Sequence, residues 1–526
     1  RSDLGASSGG GLVNVTSGGT GAVTRSVSAK LADVLDVRDF GAALGGADDT
    51  AAVQAAINAA AAQRKVLRFP GAIRHGAVTV PSGVNIVGPS CHSTVTAVAG
   101  SYDLYTVTGS DVTIENLRVE AAAKTGGWEF AIATGTSATL ERINFRNILI
   151  LNSRGGFRDT GGGIHITTRL QSVQMRGHNG RGVNWTRGFA FLFLNEVTVD
   201  FVGVATSNYT GFLFDFGGIT TPGAGGLFLR DCDVLGTAGT YNLANQRGFD
   251  IRNTAAVGIY HCRADTVGEK GFVFDTVNKL KLRGAEAGLC GGHSFEFKNV
   301  TNCSGFAEAY GRRGLAYAPA DADGFHFISG CADVRLVAQA RDHTRHGVNK
   351  AAVQAGAITL TGVDFSFNGG RGINSTGDSP LYSTGKLGGN DTGDFSLLGQ
   401  FDYFTGMTNA GSVVFARRDA VVNMGSIGFP VPVPFAGTAY TLNSNDLGGF
   451  IRFTAGAPIT VTIPPNSAQA FPLGAIVEIE KAGAGDITIA GGAGVTVASA
   501  VGLTITTQFT SRKLRKVGTD AWNVMV

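Results

Sequence analysis

The sequence has little charge and no long apolar run. Charged residues make up 16% of the 526 residues, and the formal net charge of +3 gives no argument for nucleic acid or an anionic membrane as a partner. No run of about 18 apolar residues occurs, so no segment is predicted to insert into a bilayer. No signal peptide is evident. Because the chain begins at Arg1, we expect it to be a fragment of a longer protein.

Proline is scarce, whereas glycine is abundant. The chain has 13 prolines and 78 glycines, without the regular glycine period of collagen. Glycine-rich sequence therefore does not indicate disorder here. Together with many Phe, Val, Ile and Thr residues, it is typical of short strands joined by tight turns.

Cysteine is rare and is not arranged as a metal site. None of the six cysteines forms a CxxC pair or has a zinc-binding spacing, so neither a metal nor a cofactor is predicted. We expect small buried thiols rather than disulfides, in a protein assembled in a reducing cytosol. The six are Cys91, Cys232, Cys262, Cys290, Cys303 and Cys331.

A short phrase recurs between residues 248 and 373: a small residue, an apolar one, a polar one, and usually another apolar one. Its spacings are 23, 23, 30, 23 and 25 residues, a period that indicates a solenoid. The alternation within each unit predicts strands, and about 23 residues hold three short strands and three turns. The sequence therefore predicts the coils of a parallel β-helix. The phrase begins at Gly248, Gly271, Ser294, Gly324, Gly347 and Gly372.

The flanking segments differ from the repeat. Residues 1–35 are rich in Gly, Ser, Thr and Ala and read as a linker or adaptor. The β-helix is assigned to 36–400, and 401–435, with its alternating prolines, is assigned as an extended linker. Residues 436–526 alternate in polarity with turns every 8–12 residues, which predicts a small β-sandwich.

The start of the β-helix carries several short motifs. They are DFGA at 39–42, DDT at 48–50 before an Ala-rich helix, VQAAI at 53–57, FP at 69–70 and PSGVNIVG at 81–88. This pattern resembles the start of the pectate-lyase-like β-helix of bacteriophage tailspikes. The resemblance implies an all-β, right-handed parallel β-helix with a short N-terminal α-helical cap. It also implies a homotrimer whose N-terminus joins the phage tail or baseplate and whose C-terminal sandwich serves trimerisation or glycan contact.

Because the coils stack, residues at equivalent positions of successive coils are predicted to lie next to each other on the surface. A second alternating strand lies fourteen residues after each phrase, with small residues facing inward and polar ones facing outward. Aligning these strands predicts two outward columns. One contains Asp200, Asp233, Arg263, Glu286, Glu308 and Gln339; the other contains Asp265, Gly288, Tyr310, Arg341 and Asp364.

Glu286 and Glu308 form the predicted catalytic pair. Their backbones are expected about 5 Å apart on adjacent coils, so charge repulsion would keep one carboxyl protonated. Glycoside hydrolysis needs an acid for the leaving oxygen and a base or nucleophile opposite it. The predicted substrate-binding residues are Arg263, Asp265, Tyr310, Arg312, Gln339, Arg341 and Asp233, with Arg313 nearby.

Other sites remain open from the sequence. The first-strand face offers Asp250, Glu296 and His326, although Arg252, Asp275 and Lys298 beside them are typical of a salt ladder. The 321–323 loop and the 341–346 segment, which could supply a lyase-type base, are further options. Trp128, Trp185, Tyr209 and Tyr241 could stack on sugars or simply pack.

The leading functional hypothesis is a phage tailspike that depolymerises a bacterial capsule or O-antigen by endo-glycoside hydrolysis. A polysaccharide lyase of the same fold and a non-catalytic glycan-binding adhesin are the alternatives. The resemblance implies a protein carried on the virion tail, assembled in the host cytoplasm and acting at the host cell surface.

Overall fold

The computed structural model describes most of the chain. The described residues are 14–15, 20, 22–27, 29, 33–89, 93–132, 139–159, 165–178, 180–186, 191–201, 210–217, 226–236, 246–312, 322–351, 354–376, 381–388, 390, 395–397, 403–405, 413–415, 421–423, 433–443, 446–447 and 449–526.

A helical cap lies near the start of the long sheet, as predicted. A 3-10 helix spans Val37–Phe40, and helix α1 spans Thr50–Gln63. Helix α1 buries the side chains of Val53, Ala56, Ile57 and Ala60. Asp49 stands at the N-cap position of α1, but its carboxylate accepts a hydrogen bond from the Ala43 N–H instead of capping the helix. Within the described residues, no helix has the length and hydropathy needed to cross a membrane.

The strands are short at the start of the chain and longer through the repeat. They are β1 (Asn14–Val15), β2 (Arg25–Ser26), β3 (Val34–Asp36), β4 (Val66–Arg68), β5 (Ile73–His75), β6 (Val78–Val80), β7 (Asn85–Val87), β8 (Thr94–Ala97), β9 (Gly100–Ser101), β10 (Tyr105–Val107), β11 (Val112–Glu120), β12 (Lys124–Gly126), β13 (Phe130–Ile132), β14 (Leu140–Leu151), β15 (Gly155–Asp159), β16 (His165–His178), β17 (Arg181–Trp185), β18 (Phe191–Phe201), β19 (Thr210–Asp215), β20 (Gly226–Arg230), β21 (Asp233–Leu235), β22 (Arg247–Tyr260), β23 (Arg263–Asp265), β24 (Phe272–Gly288), β25 (Phe295–Lys298), β26 (Thr301–Tyr310), β27 (Phe325–Phe327), β28 (Ala332–Arg341), β29 (Val348–Lys350), β30 (Ile358–Ser366), β31 (Ile373–Ser375), β32 (Leu381–Gly388), β33 (Phe395–Leu397), β34 (Tyr403–Thr405), β35 (Val413–Phe415), β36 (Val421–Asn423), β37 (Val433–Phe435), β38 (Ala439–Thr441), β39 (Phe450–Phe453), β40 (Ile459–Ile463), β41 (Ile476–Lys481), β42 (Ile487–Gly491), β43 (Thr496–Ser499), β44 (Thr504–Ile505), β45 (Thr510–Gly518) and β46 (Ala521–Met525).

The repeat folds as the predicted right-handed parallel β-helix, and each coil has three faces. In the coil of β22 and β23, residues 249–252 form the first face, 254–260 the second and 263–265 the third. Each face pairs in parallel with the matching face of the next coil, in β24. The same pairing continues coil by coil through a long all-parallel sheet.

Residues with left-handed backbone turn the chain between faces. Asn253, Thr276 and Asn299 have φ of 51°, 58° and 51° at the bend from the first face to the second in successive coils. His261 and Gly284, with φ of 49° and 75°, mark the bend from the second face to the third. These corners let an alternating sequence wrap around one core.

The recurring phrase fills that core with stacked rings. Phe249, Phe272 and Phe295 are fully buried and stack with centroid separations of 4.6 and 5.0 Å and nearly parallel planes. The described cysteines are buried and free, as predicted. Cys91 lies outside the described residues.

The C-terminal region forms the predicted sandwich of two sheets. One sheet has the order β37-β39-β41-β45-β46-β43 and the other β38-β40-β42-β44. They share an apolar core that includes Phe453, Val461, Ile479, Ile487 and Trp522.

The boundary between the two regions stays a prediction. The chain divides into two compact units, residues 1–399 with 409–414 and residues 400–408 with 415–526. Short parallel strands occur inside the segment 401–435 that was predicted as an extended linker, where β34 pairs with β36.

Candidate functional site

The third face carries the predicted carboxylate pair in register. Glu286 of β24 pairs directly with Glu308 of β26, and Arg263 and Gln339 are their neighbours in the adjacent coils. The column around them runs through Thr198, Asp233, Arg263, Glu286, Glu308, Gln339 and Asp364.

Two residues were predicted in the wrong column. Asp200 pairs with Leu235 and so belongs to the second column, while Thr198 pairs with Asp233. Asp364 pairs with Gln339 and belongs to the first column. Both errors are shifts of two residues along a strand, which preserve the outward direction of the side chain but change its neighbours.

Small residues and a bulge shape the surface around the pair. The inward residues beside the glutamates, Ala285, Ala287, Ala307 and Ala309, are fully buried. The pairing of β24 with β26 shifts register between Arg283 and Ala285, so a bulge at Gly284 bends the strand just before Glu286. A side chain at Gly284 would also meet the ring of His261 at 2.9 Å.

The bulge borders an open recess of about 480 Å³. Glu286 and Glu308 both line it, and so do Asp233 and Arg263. We call this depression the recess. The remaining lining residues are His261, Cys262, Gly284, Ala285 and Phe306.

Tyr310 is the polar partner of the glutamate pair. Its hydroxyl donates a 2.8 Å hydrogen bond to Oε2 of Glu308. Burial, the hydrogen bond and the negative charges of Glu308 and Glu286 raise the pKa of Tyr310 to about 12. The phenol therefore stays protonated, and remains a donor, across the pH range in which glycosidases act.

Charged side chains next to the glutamate pair in the two columns are partly compensated by neighbours of opposite charge. Burial raises the pKa of Asp233, although the nearby Arg263 guanidinium opposes this. Arg263 lies 3.5 Å from the carboxylate of Asp265, and Arg341 forms an ion pair with Asp364. These contacts orient both guanidinium groups on the third face, three coil steps apart along the β-helix.

Arg312 is a correction to the predicted binding set. It is only 2% exposed, and its Nη2 donates to the carbonyl of Val267 at 3.4 Å. The residue is buried and lies beyond the end of β26, so its guanidinium is not displayed on the third face. Arg313 and Asp321 lie outside the described residues.

The competing first face is a network of ion pairs. Asp250, 2% exposed, accepts hydrogen bonds from both Arg247 and Arg252, and Lys270 pairs with Glu296 at 2.7 Å. Lys298 also pairs with Asp275, at 3.1 Å. Carboxylates engaged in this way are poorly placed to reach a polysaccharide.

One histidine cluster has the composition of a metal site. Ligand atoms of His293, Asp323 and His326 lie within 4.8 Å of one another. However, Asp323 already pairs with Arg345 and accepts a hydrogen bond from Asn349, and the two imidazoles are joined at 2.7 Å. A cation would have to displace these contacts, so the arrangement favours a hydrogen-bonded cluster. Burial also lowers the pKa of His293, to about 3.

The 341–346 segment does not present its first histidine to solvent. His343 is 1% exposed, and burial lowers its pKa to about 4. Trp185 is also buried and contacts His165 edge-on, whereas Trp128 is half-buried. Tyr209 and Tyr241 lie outside the described residues.

His261 and Phe306 line the recess but were absent from the sequence prediction. His261 is the corner residue directly before the inward Cys262, and its side chain is 74% exposed. Phe306 precedes the inward Ala307. The strand register contained the signal, because each residue lies two positions before a member of the predicted column, Arg263 or Glu308.

Comparison with known proteins finds similarity in structure but not in sequence. No protein-family model matches the chain, and no curated protein matches its sequence. A tailspike double mutant of E. coli bacteriophage HK620 is 11% identical, with a TM-score of 0.45 over 80% of this chain and 86% of that one. Tailspike protein 3 of bacteriophage CBA120 is 12% identical, with a TM-score of 0.40 over 81% and 67% of the two chains.

A bacterial enzyme is similar to the same extent. The catalytic unit of a GH87 α-1,3-glucanase from Streptomyces thermodiastaticus is 12% identical, with a TM-score of 0.40 over 72% of this chain and 69% of the enzyme. At these identities the similarity is one of fold alone.

Proposed function

We propose that the protein is an endo-glycoside hydrolase that cuts a bacterial capsule or O-antigen polysaccharide at the recess. The observation that carries the proposal is the pairing of Glu286 with Glu308 on adjacent strands of an open surface. Acid and base groups on the same side of a stacked sheet can act on one glycosidic bond lying across them.

The two glutamates take different roles in this proposal. The Tyr310 hydroxyl donates to Glu308 and compensates negative charge there, so Glu308 is assigned as the base or nucleophile. Glu286, which lacks this donor, protonates the leaving oxygen. Arg263, Asp265, Gln339, Arg341 and Asp233 are proposed to bind sugar hydroxyls or carboxylates along the third face.

The biological setting follows from the family resemblance. We propose a tailspike carried on the virion tail, attached through the segment that includes residues 1–35 and acting as a homotrimer on the host surface. Light scattering on the purified protein should then give about three times the 54.2 kDa of one chain.

The test is cleavage of purified capsules and O-antigens from a panel of bacterial strains. We expect new reducing ends without the ultraviolet absorbance of an unsaturated uronate. General acid–base catalysis contributes about 10²–10⁴-fold, so Glu286→Gln and Glu308→Gln should each lose activity on that scale. Glu115→Gln, which replaces a partly exposed carboxyl on another face, is the matched control and should keep activity.

Each other outcome identifies an alternative. Reducing ends accompanied by unsaturated uronate would indicate a lyase, and binding without cleavage would indicate an adhesin. Full activity in both glutamine variants would contradict the assignment of the recess as the catalytic site.

A further inference from the structure

Between β16 and β28, the second face of the β-helix, which precedes the recess along each coil, has positive but no negative side chains in two outward columns. Two outward columns cross this face between β16 and β28. The first contains Arg169, Phe193, Phe228, Gly258, Lys281, Ser304 and Arg335. The second contains Gln171, Asn195, Arg230, Tyr260, Arg283, Phe306 and Val337.

These columns contain five cations and no carboxylate, in a chain whose formal net charge is only +3. All five cationic residues are exposed. The positive potential of such a surface attracts a negatively charged polymer. The five are Arg169, Arg230, Lys281, Arg283 and Arg335.

Three of the arginines are positioned by aromatic rings. The guanidinium of Arg169 lies 5.3 Å from the ring centre of Phe193, and those of Arg230 and Arg283 lie 5.7 and 5.8 Å from the ring centre of Tyr260. Among the described residues, none forms an ion pair with these three guanidinium groups. Stacking on a ring leaves the N–H edge of a guanidinium free for a carboxylate or phosphate and reduces the entropy lost on binding.

The rings themselves form an outward apolar ladder. Phe193 and Phe228 stack with centres 5.2 Å apart, and Phe191, 43% exposed, stacks on Phe193 at 6.2 Å. Tyr260 leans over Gly258, where an added Cβ would meet the ring at 2.6 Å. Exposed apolar surface of this kind is typical of a binding site.

The ladder leads into the recess. Phe306 belongs to the second outward column and also lines the recess, and Arg283 pairs with it in register. From Phe193 to Phe306 the track crosses four coil steps, roughly 19 Å at the spacing of parallel strands. A polymer on this track would therefore pass beside Glu286 and Glu308.

We infer that this arginine–aromatic ladder is the binding track for an acidic polysaccharide, whose carboxylates pair with Arg230 and Arg283 while its glycosidic bond lies over the recess. The inference rests on the proposed function and names its substrate class. The placement of the ladder supports it, because its five cations lie on the second face beside the paired acids of the third.

The test measures binding to an array of purified capsules and O-antigens, some containing uronic or sialic acids and some neutral. The Glu286→Gln variant is used so that the polymers are not cut. We expect binding to acidic polymers that weakens with added salt. Removing two charge-assisted contacts in Arg230→Gln/Arg283→Gln should weaken that binding by about tenfold or more.

A matched control removes the same charge elsewhere. Arg64→Gln/Lys65→Gln, at the end of helix α1, should leave binding unchanged. The melting temperatures of both double variants should match that of the parent, because the three replaced arginines are exposed and Lys65 is partly exposed.

Several results would overturn the inference. These are equal binding of neutral polymers, unchanged binding after loss of Arg230 and Arg283, no binding to any acidic polymer, or tighter binding of double-stranded DNA. Failure of the two proposals is distinguishable. Cleavage of a neutral glycan would support the hydrolase proposal and contradict the binding track for an acidic polysaccharide. Arginine-dependent binding of an acidic polymer without cleavage would support the binding track and contradict the hydrolase proposal.

Discussion

At the scale of single residues, the recess depends on side chains that alternate with alanine. Glu286 lies between Ala285 and Ala287, and Glu308 lies between Ala307 and Ala309. The alanines let adjacent coils approach without steric conflict, while the glutamates face outward in register. Two carboxylates in register repel each other when both are ionised, which disfavours folding.

Tyr310 provides a sharp test at this scale. Replacing it with Phe removes the hydrogen bond to Glu308 but keeps the ring. A hydrogen bond to a charged group contributes about 1.5–3 kcal/mol, so cleavage by Tyr310→Phe should fall by roughly 10–100-fold. Kinetics on a cleaved polysaccharide would measure this effect. A fall in melting temperature that accounts for the lost activity would instead indicate a structural role.

Buried histidines make stability dependent on pH. Burial lowers the pKa of His75, His178 and His343 to about 4 from an ordinary value of 6.5. Folding therefore favours their neutral form. Their contribution to stability is complete above pH 6.5 and is lost as the pH falls from there through about 4.

We expect the urea concentration at the midpoint of unfolding to decrease as the pH is lowered from 7.5 to 5. Each such histidine changes the free energy of unfolding by on the order of 1 kcal/mol per pH unit in this window. His178→Gln should reduce that slope, and His261→Gln, at an exposed corner, should not. Equal slopes for the His178 variant and the parent would contradict the assignment.

At the scale of elements, the stack of phenylalanines connects the repeat to the stability of the coils. Phe272 lies between Phe249 and Phe295 on the first face, with no exposed surface. Each ring fills the gap between its neighbours above and below. Loss of one ring leaves a cavity that the regular coil spacing prevents from closing.

The corresponding prediction concerns Phe272→Ala. We expect a loss of about 3–5 kcal/mol in the free energy of unfolding, measured by urea denaturation with circular dichroism. Phe272→Leu keeps most of the volume and should cost clearly less. Phe509→Ala, at a position that is 66% exposed in the C-terminal region, should have little effect.

At the scale of the whole molecule, the C-terminal region has a core of its own. Its two sheets enclose Phe453, Val461, Ile479 and Trp522, and Phe471 packs edge-on against Trp522 at 5.2 Å. A buried apolar core with paired strands is the requirement for independent folding of a small domain.

We therefore expect residues 433–526 to fold when expressed alone. Trp522 is the single tryptophan of this fragment, so its fluorescence reports the core directly. The emission should be blue-shifted and should change cooperatively with urea. Val477→Asp places a charge in the core and should abolish the transition. A fragment with the emission of exposed tryptophan would show that the sandwich needs the rest of the chain.

The sequence alone determined the architecture and the chemistry available on its surface. The recurring phrase sets a coil length, and strand alternation decides which residues face out, because both depend on local backbone geometry. The pairing of Glu286 with Glu308 follows from these two rules. The cap at α1 and the C-terminal sandwich were equally readable from local patterns.

Tertiary structure decided which outward residues meet. Asp200 and Asp364 were placed one column away from their true partners, since corners and bulges such as Gly284 change register without a clear sequence signal. Arg312 is buried beyond the end of β26, where strand alternation no longer sets the direction of a side chain. The recess and the arginine–aromatic ladder arise from contacts between different strands, and these contacts exist only when the coils stack.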